Sequence, residues 1–190
     1  MPRRAIHPTA RPLDCTLGVH RRSLGYRVPV MDDLTRAEAL IDGGRTEEAI
    51  ALVEGVLAAA PNDPVALYHL GSAHDSAGHE AEAVEPYRRG LAGGLDPDVA
   101  LAARIQLAST LRNVGETRES VEILEAAVAE HPRHRAARMF LALALVSDGR
   151  STEAVRILLD LLLTNPGPPE RYARSLRNYT DDLGRTSGPR

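Results

Sequence analysis

The block Gly149-Arg150-Ser151-Thr152-Glu153-Ala154 is one of four similar blocks in the chain. The earlier copies occupy residues 44–49, 78–83 and 115–120, so their glycines stand 34, 37 and 34 residues apart. A period of roughly 20–50 residues is typical of proteins built from stacked, self-similar units. The sequence therefore predicts an array of four repeated units.

Each copy of the block has the composition of a turn between two helices. The glycine suits the left-handed conformation just past a helix end. The side-chain oxygens of Thr46, Thr117 and Ser151 are predicted to cap the helix that follows. An acidic residue then lies in the first turn of the helix, where the helix dipole favours a negative charge. These residues are Glu48, Glu82, Glu119 and Glu153. Each block is thus interpreted as a helix end, a turn and a helix start.

Apolar residues recur at helical spacing on both sides of every block. The period begins after Asp33, and Asp63-Pro64 and Asp96-Pro97 offer a capping aspartate followed by a proline at the first helical position. Pro86 should kink or loosen its helix. The three extra residues of the 37-residue step fall near Gly93-Gly94. The pattern predicts nine helices, namely four antiparallel pairs and one terminal helix, and no sheet.

Three regions differ in composition. Residues 1–30 carry six Arg and one acidic residue, Asp14, and have no helical or strand period, which predicts a disordered tail; a basic docking arm is the alternative. Residues 31–183 form the helical array with its terminal helix, in which Tyr172, Leu176, Tyr179 and Leu183 share one face. Residues 184–190 are expected to be a disordered end.

Charge and composition narrow the possible partners. The net charge is −3, and because residues 1–30 carry +5 the remainder carries −8, which argues against a nucleic-acid partner. No uncharged apolar run approaches the roughly 20 residues of a membrane span. A single cysteine, Cys15, fits a reducing compartment, so a cytoplasmic location is expected. The basic residues are all Arg, which together with abundant Ala favours a bacterial source.

Four columns of residues resemble the tetratricopeptide repeat (TPR) family, of the small bacterial type. They are Leu70-Gly71, Leu107-Ala108 and Leu141-Ala142; Ala83, Ser120 and Ala154; Tyr87, Leu124 and Leu158; and Pro61, Pro132 and Pro166. The resemblance covers residues 31–166 and implies an all-α fold, a right-handed α-solenoid of four helix-turn-helix pairs. The terminal helix resembles the capping helix of such arrays.

No motif in the sequence supports catalysis or cofactor binding. His69, His74 and His79 are spaced by five residues and therefore point in different directions on a helix, so surface histidines are the preferred interpretation over metal ligands. The Gly-Gly pairs lack the Lys and Ser/Thr of a phosphate-binding loop. The chain is therefore not expected to be an enzyme, and no cofactor or metal is expected.

The TPR resemblance implies that the first helix of each pair lines a concave groove that binds a partner peptide or helix. The chain is accordingly interpreted as an adaptor or scaffold for another protein. The candidate groove residues are Tyr68, His69, Ser72, Asp75, Gln106, Ser109, Arg112, Asn113, Met139, Phe140 and Leu143. The basic and Asn residues with which some TPR modules clamp a C-terminal carboxylate are mostly missing.

A second hypothesis is self-association through the leucine-rich run Ile157–Leu163. This run is apolar almost all round its helix, which is more than one core contact requires. A homodimer would cover the surplus apolar surface. Burial between the fourth unit and the terminal helix would also cover it and is the preferred interpretation.

Overall fold

The structure, a computed structural model, describes residues 29–164, with side chains from Asp33 onward. This part of the chain contains eight α-helices and no strand, which confirms the four helical pairs and the all-α fold. The helices are α1 (Pro29–Asp42), α2 (Thr46–Ala59), α3 (Pro64–Ala77), α4 (Glu80–Ala92), α5 (Pro97–Asn113), α6 (Thr117–Glu130), α7 (Arg135–Ser147) and α8 (Ser151–Thr164). The predicted ninth helix, residues 1–28 and residues 184–190 lie outside the described residues.

The first helix begins earlier than its apolar period indicated. The period begins at Leu34, but α1 starts at Pro29, two residues inside the stretch assigned to the tail. Proline is well placed at the first helical position, because its missing N–H would have no partner there. Leu34, Ala37 and Leu40 form the buried face of α1.

The turn glycines behave as the repeated block predicts. Gly44, Gly78, Gly115 and Gly149 all have positive φ, between 72° and 92°. L side chains rarely adopt this conformation, so glycine is required where the chain reverses at each helix end. The four turns therefore set the period of the array.

The predicted hydroxyl caps are wrong. Thr46, Thr117 and Ser151 are the first residues of their helices, and α2 and α6 begin without a side-chain cap. An arginine precedes two of the helices instead. Arg45 donates two hydrogen bonds to Glu48 at 2.7 and 2.6 Å, and Arg150 donates two to Glu153 at 2.7 and 2.8 Å. Glu48 and Glu153 thus interact favourably with the helix dipole and also bind the arginine that precedes the helix.

The starts of α3 and α5 are capped by the predicted aspartates, and α7 has a cap that was not predicted. Asp63 accepts hydrogen bonds from the backbone N–H groups of Val65 and Ala66 at 2.9 and 2.8 Å, and Asp96 accepts one from Asp98 at 3.1 Å. His134 caps α7, because its Nδ1 accepts a hydrogen bond from the Ala137 N–H at 3.2 Å. The first helices of units two to four are therefore all anchored by a side chain.

The helices form two layers. Cα atoms of α1 and α3, of α3 and α5, and of α5 and α7 approach within 8 Å, whereas no two of the described even-numbered helices do so. Long side chains connect the even-numbered helices, which form the second layer; for example, Arg88 of α4 pairs with Glu119 of α6 at 2.8 Å. The odd-numbered helices are thus the closely spaced, inner layer, and the face of this layer that is turned away from the even-numbered helices is the candidate groove.

The second unit carries the main irregularity of the array. Helix α4 is continuous through Pro86, the position of the predicted kink or loosening. Ala83, Tyr87 and Gly90 pack it against α3 on both sides of the proline. Of the three inner pairs, α3 and α5 make the least extensive contact, which agrees with the inserted residues before α5. Tyr87 fills this junction and is fully buried.

Candidate partner-binding groove

Three columns of equivalent residues run across the inner layer. Shifting a residue by 37 positions takes it from α3 to α5, and a shift of 34 takes it from α5 to α7. Within each helix the positions are spaced by four and then three residues, which places them on one helix face. The columns are Tyr68, Ile105 and Met139; Ser72, Ser109 and Leu143; and Asp75, Arg112 and Val146.

Tyr68 lies half-buried at the α3 end of the groove. Its ring centroid is 6.2 Å from that of Tyr87 and 5.3 Å from that of His69. The ring packs against the cluster of Ala83, Tyr87, Leu107 and Leu111 at the junction of units two and three. Tyr68 therefore supports the core and offers only part of its ring to a partner.

His69 is a core residue, which corrects its interpretation as a surface histidine. It is 7% exposed, and its Nε2 lies 3.7 Å from a carboxylate oxygen of Glu38 in α1. Burial lowers the pKa of His69 to about 4, and the charge of Asp63 opposes this only in part. The side chain is thus neutral at pH 7 and presents little surface to a partner.

A polar network joins units two and three at the base of the groove. The Tyr87 hydroxyl donates to Gln106 Oε1 at 3.0 Å, and the Thr110 hydroxyl lies 3.0 Å from both Asp75 Oδ1 and the Gln106 carbonyl oxygen. Burial raises the pKa of Asp75, a rise that the hydrogen bond with Thr110 opposes. Burial also raises the pKa of Tyr87 well above 10, against a hydrogen bond with Ser72. Gln106 and Asp75 are therefore engaged in holding the units together.

The middle of the groove, on α5, carries polar and charged side chains. Ser109 and Arg112 are half-buried and Asn113 is exposed. Arg112 Nη2 donates to the Asn113 side-chain oxygen at 2.9 Å, while the buried Nε has no hydrogen-bond partner. The Nε–H of Arg112 is thus a donor without an acceptor among the described residues.

The α7 end of the groove is apolar and open. Met139 is 44% exposed, Leu143 49% and Val146 53%. Phe140, by contrast, is half-buried and packs against the core of units three and four, so it is not an open aromatic anchor. Val146 was missing from the predicted set. Its repeat position, shared with Asp75 and Arg112, was the signal that could have identified it.

One cavity with charged walls lies among the last three described helices. A cavity of about 410 Å³ between α6, α7 and α8 is lined by Glu125, Arg138, Glu153, Arg156 and Asp160 among others. Arg138 pairs with Asp160, and Glu125 and Glu153 both pair with Arg150. Among the described residues, no three or more His, Cys, Asp or Glu side chains are placed to hold a metal ion. None of the eight helices is long and apolar enough to cross a bilayer.

Comparison with known proteins agrees with this architecture. The model of a family described as "Tetratrico peptide repeat" matches residues 64–183. A kinesin light chain-like protein from Podosopora anserina, made of nearly identical TPR-like repeats, superposes with a TM-score of 0.64 at 21% identity, over 84% of this chain and 97% of that one. MamA (41-end) from Desulfovibrio magneticus RS-1 gives 0.61 at 20% identity, over 84% and 97%. No curated protein sequence matches the chain.

These structural likenesses show the fold, and the family model spans more than half of the 190 residues. The glycine turns and the two helical layers described above agree with this match. The chain belongs to the tetratricopeptide repeat family.

Proposed function

We propose that this protein is an adaptor that binds an extended segment or a helix of another protein in the groove on α3, α5 and α7. The observation that carries the proposal is the open apolar surface of Leu143 and Val146 on the groove face of α7. Exposed apolar patches rimmed by polar residues are typical of protein-binding surfaces. The family as a whole consists of interaction modules, which supports the same conclusion.

The two ends of the groove suit different parts of a partner. Leu143 and Val146 fit apolar side chains, because contact would remove apolar surface from water on both molecules. Arg112 presents a guanidinium fork, which matches a carboxylate, and Ser109 and Asn113 can hydrogen-bond a peptide backbone. The partner segment is therefore expected to carry apolar residues next to an acidic one.

The expected affinity is modest. The open apolar surface is small, and association must first offset lost translational, rotational and side-chain freedom. We expect a dissociation constant on the order of 1 μM, or about −8 kcal/mol.

The test begins with affinity capture of the full chain from its native cell and identification of partners by mass spectrometry. Binding of each purified partner is then measured by calorimetry to the unmodified chain, to Leu143→Asp and to Leu143→Asp/Arg112→Glu. Both variants should retain helicity and melting temperature within a few degrees and lose affinity at least tenfold. Arg118→Glu, an exposed change on the outer helix α6, is the matched control and should bind normally.

Undiminished binding by the folded double variant would place the interface elsewhere. A cytoplasmic location in a bacterium remains part of the proposal and is tested by fractionating the same cells.

The alternative function is self-association through α8. It is favoured by Val155, Leu158 and Leu162, which are 43%, 44% and 55% exposed along one side of that helix. Light scattering of the intact chain over a hundredfold range of concentration tests it. A dimer that Leu158→Asp dissociates would support self-association, and a monomer throughout would exclude it.

A further inference from the structure

Two of the groove columns extend to α1. Subtracting 34 from Ser72 and Asp75 gives Glu38 and Ile41, which lie in that helix. A carboxylate oxygen of Glu38 lies 3.7 Å from Nε2 of His69 in α3. Glu38 therefore reaches from α1 towards the neighbouring inner helix, and α1 forms the first end of the groove.

This end of the groove carries two carboxylates, and neither pairs with an arginine among the described residues. The Glu38 side chain is 59% exposed, and its neighbour His69 is neutral at pH 7. Half-buried Asp75 has its Oδ1 3.0 Å from the Thr110 hydroxyl. Burial, together with a neighbouring carboxylate in each case, raises the pKa of both groups, although Thr110 opposes the rise at Asp75. A positive charge brought to this end would stabilise the ionised carboxylates.

The next inner helix, α5, carries the opposite charge. Arg112 stands in the same column as Asp75, but the two side chains do not pair, because Asp75 bonds Thr110 and Arg112 bonds Asn113. The Nε–H of Arg112 is buried without an acceptor, which is unfavourable. A partner carboxylate that draws the guanidinium outward would bind its fork and also release this donor.

The face of α7 completes the groove with open apolar surface, since Leu143 and Val146 are 49% and 53% exposed. From α1 to α7 the groove is therefore acidic, then basic, then apolar. A partner that matches this surface needs the complementary order of side chains.

We propose that the groove selects an extended segment of another protein in which a basic residue, an acidic residue and apolar residues follow in this order. The inference rests on the proposed adaptor function and adds the chemistry of the partner. Packed helices lie about 8–10 Å apart, and an extended chain advances about 3.3 Å per residue. About three residues therefore separate the basic residue, opposite Asp75, from the acidic one, opposite Arg112, and the acidic one from the apolar ones.

The polar side chains of the groove favour an extended segment over a helix. An extended chain leaves its backbone N–H and C=O groups unpaired, and Ser109 and Asn113 can bond them. A helix pairs most of these groups internally. It would also need about six residues to pass from one inner helix to the next, because it advances only about 1.5 Å per residue.

Selection from a library of random twelve-residue peptides displayed on phage, with the full chain as bait, tests the inference. Peptides that bind the unmodified chain but not Leu143→Asp are the groove-dependent set. This set should be enriched in Arg or Lys about three positions from Asp or Glu, with aliphatic residues on the far side of the acid.

One enriched peptide is then synthesised with its basic residue intact and with that residue replaced by glutamine. Fluorescence anisotropy should find that the replacement weakens binding to the unmodified chain at least fivefold. On the isosteric variant Glu38→Gln/Asp75→Asn the same replacement should weaken binding less than twofold, as expected for a lost pairwise interaction. Glu38→Gln alone, at an exposed position, should give a smaller reduction in the same direction.

The matched control is Glu54→Gln/Glu122→Gln, which removes two exposed charges from the outer helices α2 and α6. This variant should respond to the peptide replacement as the unmodified chain does. Since both double variants lose two negative charges, a difference between them reports the location of the charges and excludes an effect of net charge.

The contrary results separate this inference from the adaptor function. A groove-dependent set without basic residues, or an equal effect of the replacement on all chains, would overturn the inference and leave the adaptor function standing. A basic residue about six positions from the acidic one would assign the groove to a helix and overturn the extended binding mode. A library without any groove-dependent peptide would overturn the adaptor function, and this inference with it.

Discussion

At the residue scale, the contact between Gly71 and Tyr87 fixes how the second unit packs. A Cβ on Gly71 would lie 2.7 Å from the nearest Tyr87 ring carbon, which is closer than real Cβ contacts. The ring is fully buried and its hydroxyl is held by Gln106, so it has little freedom to move aside. Glycine is therefore required at position 71, because the ring of Tyr87 leaves no room for a side chain there.

The substitution Gly71→Ala is expected to destabilise the fold by about 1–3 kcal/mol, because an overpacked methyl group must displace the ring or the helix. Urea unfolding followed by circular dichroism measures this. Gly55→Ala is the matched control, since Gly55 lies inside α2 with nothing within 4 Å of the added Cβ. The control should gain up to about 1 kcal/mol from helix propensity. Equal effects of the two changes would refute the Gly71 contact.

Buried His69 predicts a loss of stability in acid. Its pKa is about 4 in the folded chain and 6.5 without burial, so between these values the unfolded chain binds a proton that the folded chain does not. Stability is complete above pH 6.5 and falls as the pH approaches 4, by on the order of 3 kcal/mol. Glu38, whose pKa is raised by burial and by Asp42, offsets part of this loss.

His69→Gln removes the titrating group and should flatten the dependence of unfolding free energy on pH between 6.5 and 4. Urea unfolding at intervals of half a pH unit tests this. An unchanged slope would mean that another group is responsible for the acid sensitivity.

At the element scale, the two faces of α7 should respond differently to the same change. Leu141 is 5% exposed within the shared core of units three and four, and Leu143 is 49% exposed on the groove side. Leu141→Ala is expected to lower the free energy of unfolding by about 2–5 kcal/mol, through lost burial and a cavity. Leu143→Ala should change it by no more than about 0.5 kcal/mol. Denaturant unfolding compares them directly; similar losses would contradict the assignment of the two faces.

The helices and their turns could be predicted from the sequence because local rules determine them. The glycine at each turn, Asp63 and Asp96 at helix starts and the apolar period all act within a few residues along the chain. The burial of His69 could not be predicted, because it depends on how closely α1 lies against α3. The same holds for Gln106 and Asp75, since their partners come from α4 and α5. Contacts between units can be predicted only when the relative placement of the helices is known, and the spacing of residues in the sequence does not give that placement.

At the scale of the whole molecule, the array distributes its stability over contacts between neighbouring helices. Each described helix contacts the next along the chain, and the inner helices also contact the next inner helix. In such arrays stability is roughly a sum of unit and interface contributions. Among the inner pairs, α3 and α5 make the least extensive contact. The half-buried hydrogen bond between the Tyr87 hydroxyl and Gln106 adds a contact at this junction of units two and three.

The junction can be tested as a unit. Tyr87→Phe removes the hydroxyl that bonds Gln106 and leaves the ring in place, so a loss of about 1 kcal/mol is expected. Native-state hydrogen exchange should show the opening of α1–α4 becoming easier relative to α5–α8. A uniform change over all eight helices would show that the array unfolds as one unit and that this junction has no special role.

The proposed binding site for a partner protein is the groove face of α3, α5 and α7. It can be mapped by hydrogen–deuterium exchange of the full chain, alone and saturated with its captured partner. We expect slower exchange in the complex over α3, α5 and α7, largest around Leu143 and Val146, with α2, α4 and α6 unchanged. Slower exchange confined to α4 and α6, or to α8, would exclude the groove as the binding site.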